Sequence, residues 1–166
     1  MIRLLGAGLL LAGGWGIAWL WGREQRRTIE NCGSFLLAAQ RMERAIRCEG
    51  RGLREVFSAL AAERSAAGCF FERLLILWEE RTEETLPKVW IDACDMTKLP
   101  TEGLRIWREL GYRFDGDGES VCASISAAAE EFSMLCQSLR SALPAQLRLS
   151  GTVSLSAAAF LAILLF

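Results

Sequence analysis

The chain has 166 residues, 19 basic and 20 acidic side chains, a formal net charge of −1 and no histidine. That length fits one modest domain, and the charge balance argues against the basic stripe that nucleic-acid binding needs, so no nucleic-acid partner is expected. Without histidine the usual general base, proton shuttle and commonest zinc ligand are missing, which excludes Ser–His and Cys–His catalysis.

Residues 4–22, LLGAGLLLAGGWGIAWLWG, open the chain with an uncharged apolar run. About nineteen helical residues span roughly 29 Å, the thickness of a bilayer's hydrocarbon core. A transmembrane helix over residues 1–22 is expected, with Trp19 and Trp21 at the interface. The rival reading is a signal peptide, although no clear Ala-x-Ala cleavage site follows. Gly8, Ala12 and Gly16 recur every fourth residue, a spacing that lets another transmembrane helix approach closely. The plainer alternative is that Gly and Ala are common in apolar spans.

Residues 23–148 hold nearly all the charge, and no strand pattern appears among them. Phe35, Ala39, Met42 and Ile46 share a helical face that continues the first span, and Cys48–Gly52 breaks it. Leu53, Val56, Phe57, Leu60 and Ala61 follow i, i+3, i+4, i+7, i+8. Gly68 punctuates, and Phe71, Leu74, Leu75 and Trp78 form a third face. Pro87 starts a short fourth helix through Val89, Trp90 and Ala93. Pro100-Thr101 opens a fifth that runs to Leu110-Gly111, with Thr101 as its N-cap. Val121, Ile125, Ala128, Phe132, Leu135, Leu139 and Leu143 then alternate steps of four and three, which predicts a long helix with a kink at Pro144. Trp78, Trp90 and Trp107 are read as core anchors.

Between the last two helices, Asp115, Asp117 and Glu119 alternate with glycines like the start of a calcium loop. Counted from Asp115, however, Ser120 and Ser126 stand where an EF-hand needs glycine and a bidentate glutamate. The segment is therefore read as a tight turn, with Asp117 or Ser120 capping the next helix. No metal or other cofactor is expected. Six scattered cysteines form no Cys-x-x-Cys pair. Free, mostly buried thiols are preferred over disulfides.

The last segment, 149–166, is the second candidate transmembrane helix. Its rival is a buried core helix. Arg23, Arg26, Arg27, Arg140 and Arg148 flank the two spans on their inner sides, so the positive-inside rule places residues 23–148 in the cytoplasm. The expected fold is all-α: a cytosolic bundle of about six helices whose first and last continue into two transmembrane spans. Arginine dominates residues 23–47, whereas residues 79–95 are acidic. Two solvated faces would explain this. The functional reading is a basic part near anionic lipid and an acidic part, centred on Glu79, Glu80, Glu83 and Glu84, that docks a cytosolic partner.

Leu36 to Glu43 with Ala45-Ile46, a Gly-containing break and then Leu53 to Leu60, the segment Lys-Val-Trp-Ile-Asp-Ala around Trp90, and Leu110-Gly111 before an acidic turn complete a pattern. Together with the two terminal spans, it resembles the stage III sporulation protein AB family of endospore-forming bacteria. The family usually has Leu-Gly where this chain has Phe114-Asp115, and here the glycines fall at 116 and 118. The resemblance implies a part rather than an enzyme. Its soluble domain is similar in fold to the platform protein of type II secretion systems. It implies a place in the mother-cell membrane facing the forespore, among other stage III sporulation membrane proteins and a secretion-type ATPase. It transfers no individual contact residue. A membrane-anchored regulator or sensor that binds a cytosolic signalling protein is the alternative.

Overall fold

A computed structural model describes the backbone of residues 2–114, 116 and 118–165, and the side chains within 23–142 apart from 115 and 117. Six helices follow one another: α1 (Ile2–Glu49), α2 (Leu53–Ala61), α3 (Ala66–Glu80), α4 (Leu86–Cys94), α5 (Thr101–Tyr112) and α6 (Gly118–Leu165). The fold is all-α, as the periodicity predicts. Among the residues with described side chains, no helix is long and apolar enough to cross a membrane. Both candidate spans lie outside those residues, as do Gly8, Ala12, Gly16, Pro144 and the loop's Asp115 and Asp117. The chain divides into two units, residues 28–137 and the two terminal stretches 1–27 and 138–166. The first unit carries the packed core.

The break after α1 is made by Gly50, which adopts φ +62, a left-handed conformation that glycine enters without steric cost. The Arg51 N–H then turns back to the Ala45 carbonyl at 3.2 Å. The face expected on α2 is the buried one, led by Val56, Phe57 and Leu60. On α3 the buried face is turned from the expected one. Phe70 and Leu77 are buried with Phe71 and Leu74, while Leu75 and Trp78 are only partly covered at its edge. In the unbroken apolar run Leu74–Trp78 every phase is hydrophobic, so periodicity leaves the orientation undecided.

Gly68 does not punctuate. It sits in the first turn of α3, whose N-cap Ser65 accepts its N–H at 3.0 Å. A Cβ there would lie 2.0 Å from the Glu63 carbonyl oxygen, so the tight α2–α3 corner needs glycine. A second hydroxyl serves the same helix end. Ser34 on α1 accepts the Ala67 N–H at 3.2 Å while donating to the Asn31 carbonyl at 2.7 Å. Thr101 is the first residue of α5 rather than its cap, because Pro100 takes the cap position without a side-chain bond.

The core is aromatic. Phe35 from α1, Phe57 from α2, Phe70 and Phe71 from α3, Trp90 from α4, Trp107 from α5, Phe114 from the α5–α6 connection and Phe132 from α6 form one connected set of rings. Trp90 and Trp107 are fully buried, and the rings of Trp90 and Phe70 meet edge to face at 4.9 Å. Such pairs add about 0.5–1.5 kcal/mol beyond area burial. The Trp90 indole N–H donates to the Trp107 carbonyl at 2.8 Å, which fixes α4 on α5. That approach is possible because residue 111 is glycine: a Cβ there would stand 2.2 Å from Trp90 Cδ1. Among the described residues no polar or charged residue is buried.

All six cysteines are free, with Cys32, Cys94, Cys122 and Cys136 buried and Cys48 and Cys69 exposed. Burial pushes the Cys32 thiol up to about 11, helped by neighbouring Cys136. Burial pushes Cys94 up to about 12, against the pull of Arg108 and with a further push from Asp95.

Two outcomes test this packing. Gly111→Ala is expected to cost about 1–3 kcal/mol by driving a methyl into Trp90. Gly33→Ala, in a helix interior with open space around it, should gain about 0.5–1 kcal/mol. Thermal unfolding of the full chain in detergent, followed by circular dichroism, ranks the pair, and equal effects would refute the packing. The raised thiols predict a loss of stability in alkali. Their protons are held more tightly in the folded state, so their contribution is complete below the ordinary thiol value of 9.0 and disappears as pH climbs towards about 12. The melting temperature should fall over that window, and Cys94→Ala should flatten the fall.

Candidate functional site

The acidic residues singled out in the sequence gather where α3 ends and α4 begins. Glu79 and Glu80 are the last two residues of α3, and Glu83 and Glu84 lie in the connection to α4. No basic residue occupies the last turn of α3. Two carboxylates there face the negative end of the helix dipole, each costing about 0.3–1 kcal/mol at an exposed site. The helix would be more stable without them.

Cations answer part of that charge. Arg54 of α2 pairs with Glu79 at 2.7 Å. Arg81 reaches Glu84 at 3.3 Å and also bonds Asp92 of α4. Lys88 donates to Glu84 at 2.9 Å. The bond from Lys88, with Arg81 behind it, holds the Glu84 carboxyl below its ordinary value against partial desolvation. The hydrogen bonds it donates to Asp92 and Glu84 hold the Arg81 guanidinium further up its already high range. Further along, Asp95 is taken by Arg108 of α5.

The four expected docking residues therefore separate into two kinds. Glu79 and Glu84 belong to ion pairs that tie α2, α3 and α4 together. Glu80 and Glu83 are exposed and make no ion pair among the described residues. Beside them stands a residue that the sequence reading missed. Ile76, one turn before Glu80, is 41 % exposed. It hides in the run Leu74-Leu75-Ile76-Leu77-Trp78, and only the burial of Leu77 on the other face reveals it. Glu72, Ile76 and Glu80 then make an exposed acid–apolar–acid row at steps of four.

The basic end of the domain is less free than its composition suggests. Arg41 pairs with Glu63, Arg47 with Glu43 at 3.0 Å, and Arg51 with Glu49 at 2.7 Å. Arg105 pairs with Glu102 and Glu109 of its own helix at 2.8 and 2.7 Å and braces α5 to α6 through Glu131 at 3.3 Å.

Nothing in this arrangement resembles a reacting centre. Among the described residues no group of three or more metal-ligating side chains converges. Burial holds the Cys32 and Cys94 thiols protonated. What the surface offers is two carboxylates without ionic partners next to an apolar contact, on a frame of paired charges. That suits recognition of a cationic, partly apolar protein segment.

No curated protein and no solved structure matches the chain. The family model described as stage III sporulation protein AB matches residues 3–166. With the match running along almost every residue of a six-helix, histidine-free chain, the protein belongs to the stage III sporulation protein AB family.

Proposed function

We propose that this protein is a non-enzymatic platform component of a sporulation complex between mother cell and forespore. Residues 1–22 and 149–166 are its two transmembrane spans. Residues 28–137 form the helical body that faces the mother-cell cytoplasm and docks a secretion-type ATPase. Membership of a sporulation family and the apolar character of both chain ends support this reading. One observation carries the docking part: Glu80 is unpaired one turn from an exposed isoleucine, at a helix end where acids weaken the fold, and Glu83 is unpaired in the connection that follows. Charge kept at a stability cost is spent on something outside the fold.

Such a surface speeds encounter with a basic patch and loses force as salt screens it. Glu79 and Glu84 act indirectly, by holding the frame through Arg54, Arg81 and Lys88. The other stage III membrane proteins would meet the spans, where Gly8, Ala12 and Gly16 give a small-residue face for helix packing.

The test is co-purification of the full chain, in non-ionic detergent, with the secretion-type ATPase of the same sporulating cells. Glu83→Lys is expected to reduce recovery about tenfold and Glu80→Lys/Glu83→Lys to abolish it. Glu79→Gln trades an exposed ion pair against an unfavourable helix-end charge, so melting temperature and recovery should both stay near wild type. Undiminished recovery with the double reversal would remove the docking surface. Failure of the wild-type chain to bring down any ATPase would favour a regulator of a cytosolic signalling protein. Cys48 and Cys69, the exposed thiols, report topology. A membrane-impermeant maleimide should leave both unlabelled in intact protoplasts.

A further inference from the structure

Cys69, Arg73, Ile76 and Glu80 lie along one exposed stripe of α3. Their steps of four, three and four residues are those of a two-helix seam. Arg73 makes no ion pair among the described residues, and neither does Glu80. The two stand three residues before and four residues after Ile76. Beside the stripe opens a groove of about 350 Å³, walled by Cys69, Phe70, Arg73, Met96 and Lys98. Met96 at its lip is 68 % exposed. Lys98 has no ionic partner among the described residues, although its carbonyl accepts from Asn31 at 3.1 Å. No carboxylate lines the groove.

We propose that a second copy of this chain docks on this stripe, with the two α3 helices antiparallel about a two-fold axis beside Ile76. Arg73 and Glu80 each lie about 5 Å from that axis along the helix, on opposite sides. The rotation therefore sets each Arg73 against the second copy's Glu80. The two Ile76 side chains meet at the axis, between these charge pairs. The acidic connection after the second copy's α3, with its Glu83, runs towards the groove and the Lys98 ammonium. A parallel arrangement would stack Arg73 on Arg73 and Glu80 on Glu80, whereas the antiparallel one pairs them and meets like charge only at the flank, where Glu72 of each copy nears the other copy's Glu79, already paired with Arg54. Because giver and receiver share one helix face, the contact is self-complementary and closes at two copies.

The proposal concerns the purified chain alone and stands apart from the platform reading. Glu80 is common to both surfaces, so a cationic partner segment and a second copy compete for it.

Sedimentation of the full chain in non-ionic detergent should show a concentration-dependent dimer that weakens with salt. Cys69 is a native reporter under the seam, and Cys48 is the internal control. When nine-tenths of the chain is paired, alkylation of Cys69 by N-ethylmaleimide should slow about tenfold relative to dilute protein, with Cys48 unchanged. Arg73→Glu and Glu80→Arg should each abolish the dimer and the protection. Both side chains are exposed, so circular dichroism should show each variant folded. The double variant Arg73→Glu/Glu80→Arg should recover dimer and protection together. The inference is overturned if the double variant behaves as the singles do, or if a dimer persists unaltered in both singles. It is equally overturned if Cys69 keeps pace with Cys48 at every concentration.

Discussion

The close approach of Trp90 to Gly111 is the constraint on which the rest of the body depends. A side chain of any size at 111 would push the indole out of the place where rings from α2, α3 and α5 meet it. The indole N–H would then lose the Trp107 carbonyl, and α4 would lose its fixed seat on α5. The ion pairs from Arg81 and Arg108 to Asp92 and Asp95 depend on that seat. So does the spacing of α3 and α4, which leaves Glu80 and Glu83 standing clear. A packing detail inside the core thus determines which carboxylates are neutralised at the surface.

Much of this was legible in the sequence, for a physical reason. Where apolar residues alternate cleanly with polar ones, as in α2 and in α6 as far as Phe132, burial follows the periodicity. The break at Gly50 was legible because few residues but glycine take a positive φ at low cost. α3 was less legible, because a run that is hydrophobic at every phase carries no information about its orientation. Its true face depends on Phe70 finding Phe35, Trp90 and Trp107 on three other helices. The double role of Ser34, bonding its own helix and the start of α3, depends on two segments meeting in space and left no trace in local pattern. The acidic cluster was visible as composition. Its division into paired and unpaired carboxylates was not, since Arg54 lies 25 residues before its Glu79 partner.

Charge in this domain therefore does two jobs that composition merges. Several arginines are struts. Arg105 ties α5 to α6, Arg54 ties α2 to α3, and Arg81 ties the α3–α4 connection to α4. Exposed pairs of this kind contribute little individually, but they fix which charges remain available to a partner. Among those that remain, Arg73, Glu80, Glu83 and Lys98 lie on or beside α3, the helix that also presents the uncovered Ile76.

The start of that helix has a mechanical consequence. Its first free amides are held by Ser65 at the corner and by Ser34 from the middle of α1. Phe35, the next residue of α1, packs on Phe70 of the same turn. An axial shift of α1 would therefore be felt at the start of α3 through a hydroxyl and a ring together, and the exposed stripe begins within that turn.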